Sequence, residues 1–138
     1  MAIQIDISRE QKLLDIQDDV LKGGICVQDW TTFQLENAYL SYCAGANLSC
    51  VITCQATIES YIRDDERLSD RSFYDLIENS SYNQEMKNKL HELRKYRNKW
   101  VHINEQDNDF FIDEKELEKM ALSSYRLALE VFHYYPFI

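Results

Sequence analysis

Glycine and proline are scarce in this chain, with 3 Gly and 1 Pro among 138 residues. Turn-dense β proteins, collagen-like repeats and linker-rich chains need many more of both, because these two residues make tight turns and breaks. Hydrophobic residues make up 45% of the chain and aromatic residues 12%, which is enough to form a hydrophobic core. The sequence therefore favours a mainly α protein.

Apolar residues recur at helical spacing along most of the chain, which predicts a helical bundle of four to five helices. The predicted helical segments run from Ser8 to the Gly23-Gly24 pair, from Thr31 or Thr32 to Ala44, from Leu48 to Arg63, from Ser72 to Glu78, from Asn83 to Val101 and from Asp113 to Tyr134. Residues 2–7 alternate apolar and polar side chains, which predicts a short N-terminal strand. Ile25–Asp29 is compatible with a strand or a loop, and Phe110–Ile112 with a short extended segment.

No apolar run approaches the roughly 18 residues that a membrane span needs, and the N-terminus has no basic start followed by an apolar stretch. We therefore expect a single cytoplasmic domain over residues 1–138, with no membrane partner. Cys43, Cys50 and Cys54 form no CxxC pair and have no histidine close in sequence, so we expect small buried thiols and no metal site. No glycine-rich phosphate loop is present, and no cofactor is expected.

Charge is distributed unevenly. The formal net charge is −9, which argues against attraction of nucleic acid to the whole surface. Residues 83–104 invert this sign, since their only acidic residues are Glu85 and Glu92. The six basic residues of this segment are Lys87, Lys89, Arg94, Lys95, Arg97 and Lys99. This basic segment is where we expect the function to lie.

A helical projection of the basic segment shows two neighbouring faces. Relative to Met86, the apolar face contains Leu90, Leu93, Trp100 and Val101, and Arg97 falls inside it at about 20°. A guanidinium cannot lose its charge, so Arg97 must find a partner or line an opening in the core. The neighbouring polar and basic face consists of Lys87, His91, Arg94, Lys95, Asn98 and His102. The amide of Asn98 lies one turn before His102 and is expected to orient the imidazole.

The run Arg97-Asn98-Lys99-Trp100-Val101-His102 resembles the Arg, polar residue, spacer and His motif of HEPN domains (higher eukaryotes and prokaryotes nucleotide-binding). The segment Phe33–Arg63 is similar to the opening helical hairpin of that family. The resemblance covers about Thr32–Tyr135 and leaves residues 1–30 as an unexplained N-terminal extension. A second Arg and His pair, Arg126 and His133, lies opposite the apolar face of the last helix and is expected to face water.

The resemblance implies a metal-independent endoribonuclease, a toxin or defence effector, in which Arg97, Asn98 and His102 are catalytic. His102 would take the proton of the ribose 2′-hydroxyl, and Arg97 would stabilise the charge that develops on the phosphate. Attack of this hydroxyl would leave a 2′,3′-cyclic phosphate. Lys87, Arg94 and Lys95 would bind the RNA backbone. In the family two such motifs meet across a homodimer, and Arg97 and His102 lie about 140° apart on one ideal helix.

Several structural alternatives remain open at this point. Arg97 could form an ion pair with Glu59 or Glu36, and His102 could bind carbonyl groups at a helix end. His91 is expected to face solvent. Lys87, Arg94 and Lys95 are also compatible with a solvated face or with a dock for an acidic partner protein, such as an antitoxin.

The whole chain could be a catalytically silent HEPN-like module that binds nucleotide, RNA or a protein, and the net charge of −9 favours this alternative. The aromatic terminal run Phe132–Ile138 could cover a dimer interface.

Overall fold

The computed structural model describes residues 2–22, 27–69, 72–101 and 112–134. Within these ranges the chain forms six α-helices and no strand. The helices are α1 (Ile7–Val20), α2 (Asp29–Cys43), α3 (Asn47–Asp65), α4 (Phe73–Asn79), α5 (Gln84–Val101) and α6 (Glu114–Phe132). The prediction of a mainly α helical bundle is confirmed. Each of the six predicted helical segments forms a helix, so the bundle has six helices where four to five were expected.

The α2–α3 hairpin and α6 form the centre of the bundle. Gly45 connects α2 to α3 with a φ of +87°, a left-handed conformation that glycine adopts at low cost. α3 contacts α2 and α6 most extensively and also touches α4 and α5, while α1 packs on α2 and α6. The predicted break at Gly45–Asn47 is therefore confirmed.

One continuous hydrophobic core joins the six helices. Its largest fully buried side chains are Leu13, Tyr42, Val51, Thr57, Ile58, Ile62, Leu76, Ile77, Leu90, Tyr125, Leu129 and Val131. Cys43, Cys50 and Cys54 are also buried, as free thiols. The predicted burial of these cysteines is confirmed, and burial raises the pKa of the Cys43 thiol, which keeps it protonated.

The N-terminal strand predicted for residues 2–7 does not form. Ile3, Ile5 and Ile7 are exposed at 61%, 44% and 80%, and the described part of the chain offers no strand for them to pair with. Asp6 instead begins α1, because its carboxylate accepts the backbone N–H groups of Ser8 and Arg9. Alternation alone cannot supply the partner strand that a β-ladder needs.

Helix α2 begins at Asp29, two or three residues before the predicted start at Thr31 or Thr32. Its N-cap residue, Gln28, makes no capping side-chain bond and donates instead to Asp64 Oδ2 at 2.6 Å. Thr31 is buried at 4% exposure. A threonine is therefore used here for packing inside the helix, although its residue type favours an N-cap.

Side-chain caps place two other helix starts close to their predicted positions. Ser72 accepts the N–H of Asp75 at the start of α4, and Asp113 accepts the N–H groups of Lys115 and Glu116 at the start of α6. Gly23-Gly24, residues 25–26, residues 110–111 and residues 135–138 of the terminal run lie outside the described residues. In the rest of Ile25–Asp29, Val27 and Gln28 form no strand and Asp29 begins α2. None of the helices described is long and apolar enough to cross a bilayer.

Candidate nucleic-acid interface

Helix α5 carries the basic segment and is anchored through one face. Met86, Leu90 and Leu93 are buried in the core, as the helical projection predicts. The continuation of this face differs from the prediction, because Trp100 is only half-buried and Val101 is 41% exposed. Leu93 is the last buried residue of α5, and in the final two turns Tyr96 still packs on the core but is only partly buried.

Arg97 lies at this transition and is half-buried rather than enclosed in the core. Its Nη1 donates to Asn98 Oδ1 at 3.4 Å, the one hydrogen bond that it makes to a described residue. No described carboxylate forms an ion pair with Arg97. Glu59, one proposed partner, binds Arg63 at 2.6 Å, and Glu36, the other, is exposed on α2.

Asn98 is half-buried beside Arg97, and its oxygen is the acceptor for the guanidinium. His102, which Asn98 was expected to orient, lies outside the described residues. The roles assigned to Asn98 and His102 in catalysis therefore remain predictions. The contact that the structure provides for Asn98 is with the guanidinium of Arg97.

Lys87, Arg94 and Lys95, the three residues predicted to bind RNA, lie on the side of α5 that approaches α4. Lys87 Nζ donates to the backbone carbonyl of Glu78 at 2.9 Å, near the C-terminus of α4, where a cation is favourable. Arg94 is half-buried and Lys95 is exposed. The structure therefore brings Arg94 and Lys95 to one surface, and it gives Lys87 a structural contact as well.

His91 is held between two side chains, which corrects the prediction that it faces solvent. Its side chain is 13% exposed, and Nε2 lies 2.7 Å from Glu78 Oε1. The Nε–H group of Arg94 donates to His91 Nδ1 at 3.3 Å. Since Nδ1 accepts a hydrogen bond, Nε2 carries the proton and donates to Glu78. Both ring nitrogens are thus engaged in fixing Arg94.

Tyr74 of α4 completes this cluster. The guanidinium carbon of Arg94 lies 5.1 Å from the centre of the Tyr74 ring, and the His91 ring centre lies 5.0 Å from it. Tyr74 remains 50% exposed. These residues line an open groove of about 480 Å³ between α4 and α5, which we call the α4–α5 groove.

A second aromatic and basic contact lies near the end of α5. Tyr96 and Trp100 meet edge to face at 6.4 Å, and Lys99 Nζ lies 5.6 Å from the centre of the Tyr96 ring. Burial raises the pKa of Tyr96, an effect that the neighbouring Trp100 partly opposes. The Tyr96 phenol is therefore protonated at neutral pH.

The second Arg and His pair, Arg126 and His133, is described in full and has contacts within the fold. Arg126 donates to Asp19 Oδ2 of α1 at 2.5 Å, so it links two helices. His133 is half-buried at the C-cap of α6. The expectation that both residues face water holds for Arg126, whose side chain is 41% exposed, and is wrong for His133.

The side chains of the described ranges form no metal site. No group of three or more His, Cys, Asp or Glu residues there is arranged to hold a metal ion. Cys50 and Cys54 lie 4.0 Å apart through their sulfur atoms, inside the core and remote from solvent.

Comparison of the chain with protein-family models, curated proteins and solved structures finds no match. The likeness to HEPN domains consequently rests on the residues of this sequence.

Glu78 and Tyr74 are the residues of this surface that sequence reasoning missed. Both belong to a short helix whose sequence carries no charge pattern or motif of its own. The i, i+3 spacing of His91 and Arg94 on α5 was the available signal that these two side chains meet. Their contact with α4 depends on tertiary packing, which periodicity does not reveal.

Proposed function

We propose that this protein is a metal-independent HEPN-type endoribonuclease, acting as a toxin or defence effector. The observation that carries the proposal is the state of Arg97. Its guanidinium is half-buried, has no carboxylate partner among the described residues and lies on the basic helix of an otherwise acidic chain. A buried or partly buried cation is usually paired, so an anion from outside the chain is a fitting partner.

The chemistry needs few groups. His102 removes the proton from the ribose 2′-hydroxyl, whose oxygen then attacks the neighbouring phosphorus. Arg97 stabilises the negative charge on the phosphate oxygens, and Asn98 holds the guanidinium of Arg97 in place. The bond from phosphorus to the 5′-oxygen breaks, and a proton returns to that oxygen. The products are a 2′,3′-cyclic phosphate and a 5′-hydroxyl.

A homodimer is part of the proposal. Positions 97 and 102 of one ideal helix point about 140° apart, which is unfavourable for binding one phosphate from a single subunit. The exposed Val101 and half-buried Trp100 provide apolar surface near Arg97 that a second copy would cover. A partner subunit would then contribute the second catalytic group.

A catalytically silent module that binds nucleotide, RNA or a partner protein is the second candidate. The net charge of −9 favours it, because an acidic surface weakens RNA capture at physiological salt. Arg97, Asn98, Arg94 and Lys95 would then serve binding alone.

One assay separates the two functions. Purified wild-type protein is incubated with mixed RNA in EDTA, next to His102→Ala and Arg97→Ala, and the ends of any products are identified by mass spectrometry. The nuclease proposal predicts 2′,3′-cyclic phosphate ends that disappear in both variants. Intact RNA after incubation with folded, dimeric wild-type protein would contradict it and favour the binding module.

A further inference from the structure

In the α4–α5 groove, neighbouring side chains fix the guanidinium of Arg94 but use only part of its hydrogen-bonding capacity. Arg94 uses Nε–H to donate to His91, and its ring contact is with Tyr74. Its two terminal amino groups make no hydrogen bond to the described residues. Glu78 fixes His91 in turn. A planar guanidinium with both terminal groups available matches the geometry of a phosphate.

Tyr74 adds the second element of a nucleotide site. Half of its surface remains exposed, although its ring also contacts His91 and Arg94. Proteins that bind single-stranded nucleic acids use aromatic rings beside cations, because bases stack on the ring while the cations hold the backbone. Lys95 is exposed on the same groove and supplies a second cation.

The acidic residues of the groove are compatible with this use. Glu78 accepts a hydrogen bond from His91, so its carboxylate is partly engaged. Glu92 is exposed and also lines the groove, on the same turn of α5 as His91 and Arg94. A single bound base and phosphate would lie on Tyr74 and Arg94, where the aromatic and cationic groups meet.

The geometry points to the α4–α5 groove as a subsite for one nucleotide of single-stranded RNA, with the base stacked on Tyr74 and the phosphate bound by Arg94 and Lys95. Arg94 lies one helical turn before Arg97 on α5, so the subsite would hold a nucleotide near the scissile phosphate. The choice of RNA as ligand rests on the proposed function. Glu78 and His91 are positioning residues, which act on the ligand through Arg94.

The test uses a short fluorescein-labelled 2′-O-methyl oligoribonucleotide, which binds but lacks the attacking hydroxyl. Its affinity is measured by fluorescence anisotropy at several fixed salt concentrations for wild type, Tyr74→Ala, Tyr74→Phe and Arg94→Gln. Tyr74→Ala should weaken binding about tenfold, since one stacked base is lost. Tyr74→Phe keeps the ring and should bind like wild type.

The salt dependence reports the phosphate contact separately. Arg94→Gln should reduce the slope of log affinity against log salt by about 0.7, because one phosphate contact of a single strand is lost. Lys119→Ala is the matched control, since it also removes one positive charge, from an exposed position on α6. His91→Gln removes no charged residue, and it should nevertheless reduce the slope, as Arg94→Gln does. If the role of His91 were purely structural, the slope would stay unchanged.

Unchanged affinity in both Tyr74→Ala and Arg94→Gln would overturn the subsite. Binding of an oligoglutamate peptide at this groove, with no binding of the oligonucleotide, would overturn it in favour of an acidic protein partner. The outcome is separate from that of the proposed function. Cleavage in EDTA that needs Arg97 but tolerates Tyr74→Ala would leave the nuclease standing without this subsite, and Tyr74-dependent binding without cleavage would leave the subsite standing without the nuclease.

Discussion

Arg9 of α1 and Arg97 of α5 differ in how far the surrounding residues use their guanidinium groups. Arg9 donates to the Tyr42 carbonyl at 3.0 Å and to Asn47 Oδ1 at 2.7 Å, and its guanidinium carbon lies 4.7 Å from the centre of the Tyr42 ring. It also lies 4.0 Å from Glu118. Arg97 has one hydrogen bond among the described residues, to its neighbour Asn98 at 3.4 Å.

The comparison separates a cation that the fold uses from one whose donors the described residues leave largely unused. Arg9 joins α1 to the α2–α3 hairpin and α6, so its removal should be felt in folding. Arg97 makes one hydrogen bond to the described residues, so under the proposed function its removal should be felt in ligand binding and catalysis. An arginine whose donors the fold leaves unused has its hydrogen-bonding capacity available for another molecule.

The largest expected effect is on RNA cleavage. Arg97→Ala should lower the rate by about 10²–10³-fold, the usual cost of losing one group that stabilises charge in the transition state. Arg97→Lys keeps the charge but loses the planar donor pair, so it should restore only part of the rate. The thermal midpoint of Arg97→Ala should stay close to that of wild type. Full cleavage by Arg97→Ala would contradict the catalytic role proposed for Arg97.

Arg9→Ala should give the reverse result. It leaves Asn47 Oδ1 without the Arg9 donor and removes one of the hydrogen bonds to the Tyr42 carbonyl, which still accepts from the N–H of Gly45. The free energy of unfolding should therefore fall by about 1–3 kcal/mol. Urea unfolding measures this loss, and Lys12→Ala is the control, because an exposed ion pair contributes less than about 1 kcal/mol. Cleavage per folded molecule should be unchanged. A large loss of cleavage with unchanged stability would contradict the structural assignment of Arg9.

The third prediction concerns pH. Hydrogen bonds from Lys12 and Tyr42, and the nearby charge of Arg9, hold the pKa of Glu118 below its ordinary value of 4.5. Because the folded-state pKa is lowered, this stabilisation is fully present above about pH 4.5 and is lost as pH falls through the folded-state pKa.

Glu118→Gln should therefore destabilise the protein at neutral pH, and the difference from wild type should shrink in acid. Thermal midpoints measured from pH 7 to acid check this expectation. Tyr42→Phe keeps the ring and removes one of the hydrogen bonds, so it should show a weaker form of the same pH dependence. A constant difference at every pH would refute the role given to the Glu118 carboxylate.

Arg126→Ala should have the smallest effect of the four. It breaks a surface contact with Asp19, whose pKa the Arg126 hydrogen bond and charge lower, and such contacts contribute little because water screens them. Cleavage should not change, although Arg126 and His133 also match the spacing of an Arg and His motif. A drop in cleavage comparable to that of Arg97→Ala would show that the wrong motif was chosen.

The sequence predicted much of the helical structure for clear physical reasons. Apolar periodicity located α1, α3 and α6, Gly45 marked the hairpin turn, and Asp113 marked the start of α6. These signals are local. The prediction of a strand over residues 2–7 was wrong, because strand formation depends on a partner strand elsewhere in the chain. Asp6 serves as a helix cap instead.

The candidate site was only partly predictable. Charge inversion singled out α5 and its basic residues, since charge can be read from the sequence directly. The half-exposed state of Arg97 could not be read, because helical spacing does not tell where a helix leaves the core. The fixing of His91 between Glu78 and Arg94 depends on how α4 packs on α5, which no local pattern encodes.

The most direct test of the central claim observes the two arginines in one experiment. Side-chain Nε–Hε resonances of Arg97 and Arg9 are recorded by ¹⁵N NMR during titration with the 2′-O-methyl oligoribonucleotide, with assignment by Arg97→Lys and Arg9→Lys. A phosphate bound by Arg97 should shift its resonance in proportion to occupancy and leave that of Arg9 in place. An unmoved Arg97 resonance at saturation would contradict the claim that this guanidinium binds RNA.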